Sequence, residues 1–533
     1  MSAAAPRLSH VDHSTSPPRI TVPRAYNAAL DLVERNLVAG RGDKTAFIDD
    51  AGSYSYATLA RRVNQCANAW RRLGLRIEDR VALLLHDSID FPVAFLGAIR
   101  AGIVPIPCNT LLTAADYEYL LSDSRARAIV VSAPLLSLIT PLVTNLPYLE
   151  HVIVSGAPGG GDAVHFAEWI GAEPLESPVA PTLADDVCFW LYSSGSTGAP
   201  KGAVHLHADL IHTAELYARP VLGLEENDVV FSAAKLFFAY GLGNALTFPL
   251  AVGATTILMA ERPTPSAVFK RLVEGRPSIF CGVPTLYAAL LAAGDAPPRE
   301  ALALRRCTSA GEALPADLGK RWRERMGVDI LDGLGSTEML HIFLSNSPGD
   351  VRYGTTGKPV PGYTLKLTDE AGNTVTPGEM GELQVSGPSS SPYYWNNRAR
   401  SLATFLGPWT KSGDKYIVDA DGYYIYCGRS DDMLKVSGVY VSPFEVEAAL
   451  ASHDAVLEAA VVGHPDENQL IKPKAFVVIK PGGTGDAALA LRLQEHVKAL
   501  LAPYKYPRWI EFVAELPKTA TGKIQRFRLR SRR

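Results

Sequence analysis

Long apolar runs are missing from this 533-residue chain. Its hydrophobic stretches are short and interrupted, and none approaches the ~20 residues that cross a bilayer as a helix. Cysteine is scarce and dispersed. The six residues, at 66, 108, 188, 281, 307 and 427, show no paired spacing, which argues against a disulfide frame or zinc site and for reduced thiols. Neither sign of charge dominates. A formal net charge of −3 gives no electrostatic case for nucleic acid, and the basic end, 526–533, reads as a solvated terminus. The first 24 residues carry Ser, Pro and His with three arginines and one acid, but no apolar core. They do not make a secretory signal and predict a disordered leader over 1–24. A soluble, cytoplasmic protein without membrane or nucleic-acid partners is expected; monomer and homodimer both stay open.

What is present is ample material for large cores. Hydrophobic residues make up 47% of the chain, and at ~150 residues per domain the length predicts several structural units. Apolar residues at Leu59, Val63, Ala67, Trp70 and Leu73 keep helical spacing. Residues 80–85 then read as a buried strand, 91–101 as a helix and 102–106 as another strand. Strand patterns return at 128–131, 255–258, 279–280 and 328–331. Such alternation predicts α/β layers with largely parallel sheets. Beyond Gly354, short strands at 364–368, 381–385 and 422–427 are divided by Gly, Pro and Asp turns, which predicts a small β-rich subdomain. After Asp431 the pattern becomes compact α+β, with a helix at 443–451, strands at 455–462 and 475–479, and a helix through Leu500. The expected architecture is a large N-terminal α/β domain (25–431) with the β-rich subdomain, followed by a small mobile α+β domain (432–533).

The densest chemical signal is Tyr192-Ser193-Ser194-Gly195-Ser196-Thr197-Gly198-Ala199-Pro200-Lys201-Gly202. Small hydroxyl residues and glycines after an apolar strand (188–191) predict a loop whose exposed N–H groups wrap an anion, with Lys201 adding positive charge. A motor-type P-loop needs Gly-Lys followed by Ser or Thr. Here Ala199 and Pro200 intervene and Gly202 stands at the hydroxyl position, so that reading fails. A polyphosphate, with ATP as donor, fits the loop. His205 and His207 alternate just beyond it, but no further ligand follows at zinc spacing, and no G-x-S-x-G elbow is present.

The loop resembles the signature of the adenylate-forming enzymes: acyl-CoA synthetases, peptide-synthetase adenylation domains and firefly luciferase. The resemblance runs from about residue 44 to 523. It implies a second nucleotide station at Gly333-Leu334-Gly335-Ser336-Thr337-Glu338, with Thr337 on the α-phosphate and Glu338 holding Mg²⁺. A single carboxylate plus phosphates and waters is a usual way to bind that ion. Ser309-Ala310-Gly311-Glu312 resembles the adenine segment, and Asp414 the aspartate that accepts from both ribose hydroxyls. Arg429, in Gly428-Arg429-Ser430-Asp431, would reach ribose or phosphate; Asp431 corresponds to the hinge. Val436, Ser437 and Gly438 would line the channel for the CoA arm. Lys523, in Pro517-Lys518-Thr519-Ala520-Thr521-Gly522-Lys523, matches the mobile catalytic lysine that bridges substrate carboxylate and α-phosphate.

The acyl pocket is implied by Leu236-Phe237-Phe238-Ala239-Tyr240, where Phe238 holds the gate position and Ala239 and Tyr240 would lie beside a ring. His341 and Ile342 would extend the wall, and Gly335 would leave room where acetate-specific relatives carry tryptophan. Around the gate the chain resembles benzoate–CoA ligases. The resemblance implies ATP-dependent activation of an aromatic acid to its adenylate, then to the CoA thioester. A fatty acyl-CoA ligase, a carrier-dependent adenylating enzyme and a non-catalytic sensor of the adenylate are the alternatives.

Overall fold

The computed structural model describes residues 7–156, 164–195, 198–436, 439–467, 470–518 and 524–530. Among these, the largest sheet has nine strands, in the order Lys358–Pro359, Ile342–Ser345, Ile330–Gly335, Arg306–Ser309, Ile279–Gly282, Val229–Ser232, Thr255–Ile257, Thr45–Asp49 and Gly52–Ser55. Its central pairings are parallel and its edge pairings antiparallel. A second sheet, Val104–Pro107, Arg80–Leu84, Ala128–Ser132, His151–Ser155 and Val164–His165, is parallel throughout. Parallel strands are covered on both faces, so their sequences lose alternation. Ala128–Ser132 and Ile279–Gly282 are accordingly buried at every position.

Helix Tyr56–Arg72 shows how the layers form. Ser55 caps it by accepting from the Thr58 N–H, Arg71 and Arg72 occupy the last turn, and Leu59, Val63, Cys66, Ala67 and Trp70 form its buried stripe. It packs on helix Asp90–Arg100, where a Cβ on Gly97 would stand 2.7 Å from Cys66 Sγ, so only glycine permits that approach.

The β-rich unit pairs Thr364–Thr368, Met380–Ser386, Trp409–Val418, Phe405–Leu406 and Tyr424–Arg429 in antiparallel fashion. Beyond it, strands Val456–Pro465, Ile471–Ile479 and Trp509–Phe512 carry helices Pro443–Ala451 and Ala487–Leu500. Their core is assembled from residues 434 onward, including Leu434, Val446, Val461, Val477 and Leu493. The mixed α/β class, with a large N-terminal and a small C-terminal unit, is the one expected. Among the described residues no helix is long and apolar enough to cross a membrane.

Two expectations are corrected. From Arg7 the supposed leader is ordered: His10–Asp12 pairs with Arg19–Thr21, and Ser9 Oγ donates to buried Asp31 at 2.6 Å. Ile20 and Val22 of this segment also pack against the main core. The anion loop is also shorter than predicted. Strand Val187–Gly195 and strand Gly198–Leu206 form a hairpin that pairs Tyr192 with Gly202 and Ser193 with Lys201. Ladder pairing engages alternate backbone N–H groups of this segment, and Ser196 and Thr197 between the strands lie outside the described residues.

Candidate active site

The site gathers where neighbouring parallel strands end. Ser309 closes Arg306–Ser309, Gly335 closes Ile330–Gly335, and Phe238 follows Val229–Ser232. Carboxyl ends of such strands are the usual place for ligands in α/β sheets. The 187–206 hairpin is anchored by aromatic and hydrogen-bond contacts. Trp190 stacks on Trp395 at 4.6 Å between ring centroids. Tyr192 Oη donates to Asp123 Oδ2 at 2.6 Å, and Trp395 Nε1 to the Asp123 carbonyl at 2.8 Å. A Cβ on Gly202 would stand 3.3 Å from the Trp190 ring, and Trp395 N–H donates to the Gly202 carbonyl at 2.7 Å. The glycine therefore serves hairpin packing as well as the loop. Ser193 Oγ is buried without a protein partner. Ser196 and Thr197 lie outside the described residues, as do the side-chain surroundings of Ser194, Gly195 and Gly198.

Lys201 closes the corner between the two nucleotide stations. Its Nζ donates to Glu338 Oε1 at 2.9 Å and to Tyr394 Oη at 2.6 Å, while Tyr394 Oη donates to the same Glu338 oxygen at 2.7 Å. Burial works against charge on Glu338, yet Lys201 beside it and the hydrogen bonds of Tyr394 and Lys201 hold its carboxyl below the usual range. Burial, reinforced by the charge of Glu338, pushes the Tyr394 phenol up. The Glu338 carbonyl accepts from the Ser391 N–H at 2.7 Å, so the 387–394 segment braces the turn from below.

Ser309 and Ala310 are buried; Ser309 Oγ has no protein partner, and Gly311 has φ +93°, a backbone state glycine adopts freely. Glu312 follows, half-buried. Asp414 and Arg429 are cross-strand partners, with Arg429 Nη1 3.2 Å from Asp414 Oδ1. Burial opposes the Arg429 charge, but Asp414 and Asp431 outweigh it. Asp431, on the expected hinge, is 41% exposed and 3.7 Å from Arg429 Nε.

The acyl region is aromatic. Phe238 is half-buried and packs edge-on to Phe237 at 4.5 Å; Ala239 and Tyr240 open the short helix Ala239–Leu242. His341 is buried among Phe248 at 4.4 Å, Tyr217 at 5.3 Å and Tyr240 at 5.7 Å. Burial pulls its pKa down to about 3, so the ring is neutral, and Nε2–H donates to the Tyr240 carbonyl at 3.3 Å. His341 Nδ1 and Tyr240 Oη are buried without protein partners. Gly335 and Ile342 differ from expectation. A Cβ at Gly335 would meet the His341 carbonyl oxygen at 2.7 Å, so a larger residue there would require the facing backbone to shift. Ile342 turns its side chain onto Gly333, where a Cβ would be 3.0 Å from Ile342 Cδ1.

Lys523, Ser437 and Gly438 lie outside the described residues. The segment that carries Lys523 is tied at its base: the Gln525 N–H donates to the Pro517 carbonyl at 2.8 Å, and Arg526 pairs with Glu447 at 2.6 Å and Asp432 at 3.5 Å. Val436 is corrected as a channel liner, because its side chain is buried in the C-terminal core.

Residues 34–395 match the AMP-binding enzyme family, and residues 445–523 match the AMP-binding enzyme C-terminal domain. The chain belongs to the AMP-binding enzyme family. It is 66% identical to the benzoate–CoA ligase of Thauera aromatica, over 98% of this chain and 99% of that protein. The crystal structure of a benzoate CoA ligase from Burkholderia xenovorans LB400 superposes with TM-score 0.89 at 55% identity, covering 95% of this chain and 100% of that one. The anthranilate CoA ligase AuaEII, in complex with anthranoyl-AMP, gives TM-score 0.92 at 46% identity over 96% and 98% of the two chains.

Within this AMP-binding enzyme, sequence reasoning missed Tyr394, Tyr217 and Asp332. Tyr394 sits in a Tyr393-Tyr394-Trp395 run with no charge pattern to mark it. Tyr217 Oη shares a hydrogen bond with Thr308 Oγ1 at 3.2 Å beneath His341. Asp332 is buried with Oδ1 unpartnered, and burial pushes its carboxyl well above the usual range. Glu338 suits a single-carboxylate Mg²⁺ site. Among the described residues no cluster of three or more His, Cys, Asp or Glu could form a cage, so a metal there would be held largely by phosphate oxygens.

Proposed function

We propose that this protein activates benzoate with ATP to benzoyl-adenylate and transfers the acyl group to CoA, releasing pyrophosphate and AMP. The observation that carries this reading is the near-full-length 66% identity to a benzoate–CoA ligase. The aromatic wall at Phe238, Tyr240 and His341 agrees with it, since flat rings gain from edge and offset contacts. The anthranoyl-AMP of the solved relative is the same kind of intermediate. ATP and CoA are substrates, and the cytoplasm supplies both.

In the first half-reaction a carboxylate oxygen attacks the α-phosphorus, and the bond to pyrophosphate breaks. Ser193 to Gly198 and Lys201 hold the leaving phosphates. Thr337 orients the α-phosphate, Ser309 to Glu312 flank the adenine, and Asp414 and Arg429 hold the ribose. Glu338 would hold Mg²⁺, which when bound neutralises phosphate charge. Lys201 and Tyr394 keep that carboxylate ionised and aimed. Lys523 supplies the cation where negative charge accumulates.

For the second half-reaction the unit 432–533 turns about Asp431, withdraws Lys523 and brings Ser437 and Gly438 to the thiol. The CoA sulfur attacks the acyl carbon, its proton is lost, and AMP leaves. Linker residues that absorb a φ/ψ change are the usual basis of such motion.

The test separates the halves. Enzyme with ATP, Mg²⁺ and benzoate but no CoA should form benzoyl-adenylate and pyrophosphate, and a CoA chase should convert it to thioester and AMP. Lys523→Ala should lose ~10²-fold or more in the first step and keep the chase reaction with supplied adenylate. Equal loss in both steps would contradict domain alternation; no adenylate from wild-type enzyme would contradict the function.

A further inference from the structure

We propose that His205 is a positioning residue for adenylation: its Nε2–H holds the Thr337 carbonyl and fixes the turn that carries Thr337, Glu338 and His341. The proposal rests on the reading that puts ATP phosphates at Thr337 and Glu338. Residues 201, 203 and 205 share one face of strand Gly198–Leu206. From that face Lys201 Nζ reaches Glu338 Oε1 at 2.9 Å, and His205 Nε2 reaches the Thr337 carbonyl oxygen at 2.7 Å. One strand thus grips two consecutive residues of the second nucleotide station.

That turn needs a grip. Leu340 sits at φ +66°, a left-handed state uncommon for a non-glycine residue, and is nevertheless buried. Strained backbone of this kind persists where surrounding contacts over-determine it. The Thr337 carbonyl takes two donors, the Leu340 N–H at 3.2 Å, which closes the turn, and His205 from outside. Thr337 joins Glu338 at one end of the turn and His341 begins the acyl wall at the other. Fixing the first carbonyl therefore sets the phosphate contacts relative to the acid.

The ring itself is locked. His205 is wholly buried, its Nδ1 lies 2.9 Å from Asp209 Oδ2, and it stacks on Phe189 at 5.3 Å with 24° between planes. Asp209 Oδ2 also accepts the Leu206 N–H at 3.0 Å, which fixes the carboxylate. The Thr337 carbonyl and the Asp209 carboxylate oxygen both only accept, so Nε2 carries a proton towards Thr337 and Nδ1 one towards Asp209, which sets the ring orientation. Both nitrogens are used within the protein, which accounts for a histidine that has no metal-ligand partners in sequence.

The test uses a pair of amides in the full-length enzyme. In His205→Gln the terminal NH₂ can reach the place of Nε2; in His205→Asn it reaches only the place of Nδ1. ATP–pyrophosphate exchange with benzoate should fall by ~10²-fold in His205→Asn, the scale of a displaced reacting geometry, and recover most of that loss in His205→Gln at a similar Tm. MgATP affinity, measured by calorimetry, should follow the same order. ¹⁵N-histidine spectra of the wild-type protein should show Nε2 protonated. Equal behaviour of the two variants, or a bare Nε2, would overturn the proposal. Should wild-type enzyme activate no acid, the functional reading fails, while the calorimetric order of the two variants still decides the role of His205.

Discussion

On one side of the turn at residues 337–341, Lys201, Tyr394 and Glu338 answer one another within 2.9 Å. On the other side, His341 Nδ1 and Tyr240 Oη are buried with no protein atom to satisfy them. The Lys201–Tyr394–Glu338 corner is pre-paired, which offsets the cost of holding a buried carboxylate; on the proposed function its charged groups would exchange partners when a triphosphate arrives. The acyl region is held by ring packing, and its polarity is left over. On the proposed function, affinity for ATP would depend on geometry among charges and choice of acid on shape.

The largest expected effect breaks the corner. Glu338→Gln removes the shared acceptor and should lower ATP–pyrophosphate exchange by ~10²–10³-fold, the scale seen when a stabilising group at developing charge is lost. A loss no larger than that of a surface substitution would separate Glu338 from the chemistry. Next comes Tyr394→Phe, which deletes a hydrogen bond to a charged group and should weaken MgATP binding by roughly tenfold. The KM for benzoate should move far less; parallel loss of both would merge the two regions into one.

How much of this was legible before folding follows the same division. The corner is local. Ser193 to Lys201 is one contiguous run whose residue types suggest an anion loop, and Thr337-Glu338 is marked by its resemblance to a family motif. The α/β alternation was equally plain because buried parallel strands such as Ile279–Gly282 are apolar at a stretch. Tyr394 was hidden, since nothing in a Tyr-Tyr-Trp run tells which phenol will meet Glu338. The acyl wall depends on contacts between distant elements: His341 meets Tyr217 and Phe248 only after the sheet has formed. Gly335 shows the limit best, because the close approach of the facing His341 backbone, which an added Cβ would meet at 2.7 Å, is invisible in the chain. The ordered segment from Arg7 was hidden because its anchors are few and scattered, a Ser9–Asp31 hydrogen bond and isolated apolar residues such as Ile20 and Val22, with no periodic pattern.

Smaller effects sharpen the acyl side. Tyr240→Phe removes a buried hydroxyl that has no protein partner, so Tm should hold or rise and benzoate turnover should stay close to wild type. A marked drop in Tm would show that the hydroxyl is satisfied after all. The smallest effect concerns acid. His341 titrates at about 3 in the folded protein against 6.5 ordinarily, because burial disfavours the charged ring. The unfolded chain then binds more protons between these values, so this residue's contribution is whole above pH 6.5 and is lost as pH falls towards about 3. His341→Phe should therefore flatten the fall of Tm over that window, and an unchanged slope would mean that the ring is not buried neutral.

The central claim is that an ATP corner and an aromatic acyl wall make one ligase. The most direct measurement is CoA-dependent AMP release with benzoate, octanoate and acetate compared by kcat/KM. Benzoate is expected well ahead of both; octanoate or acetate ahead of benzoate would rule out an aromatic acyl site.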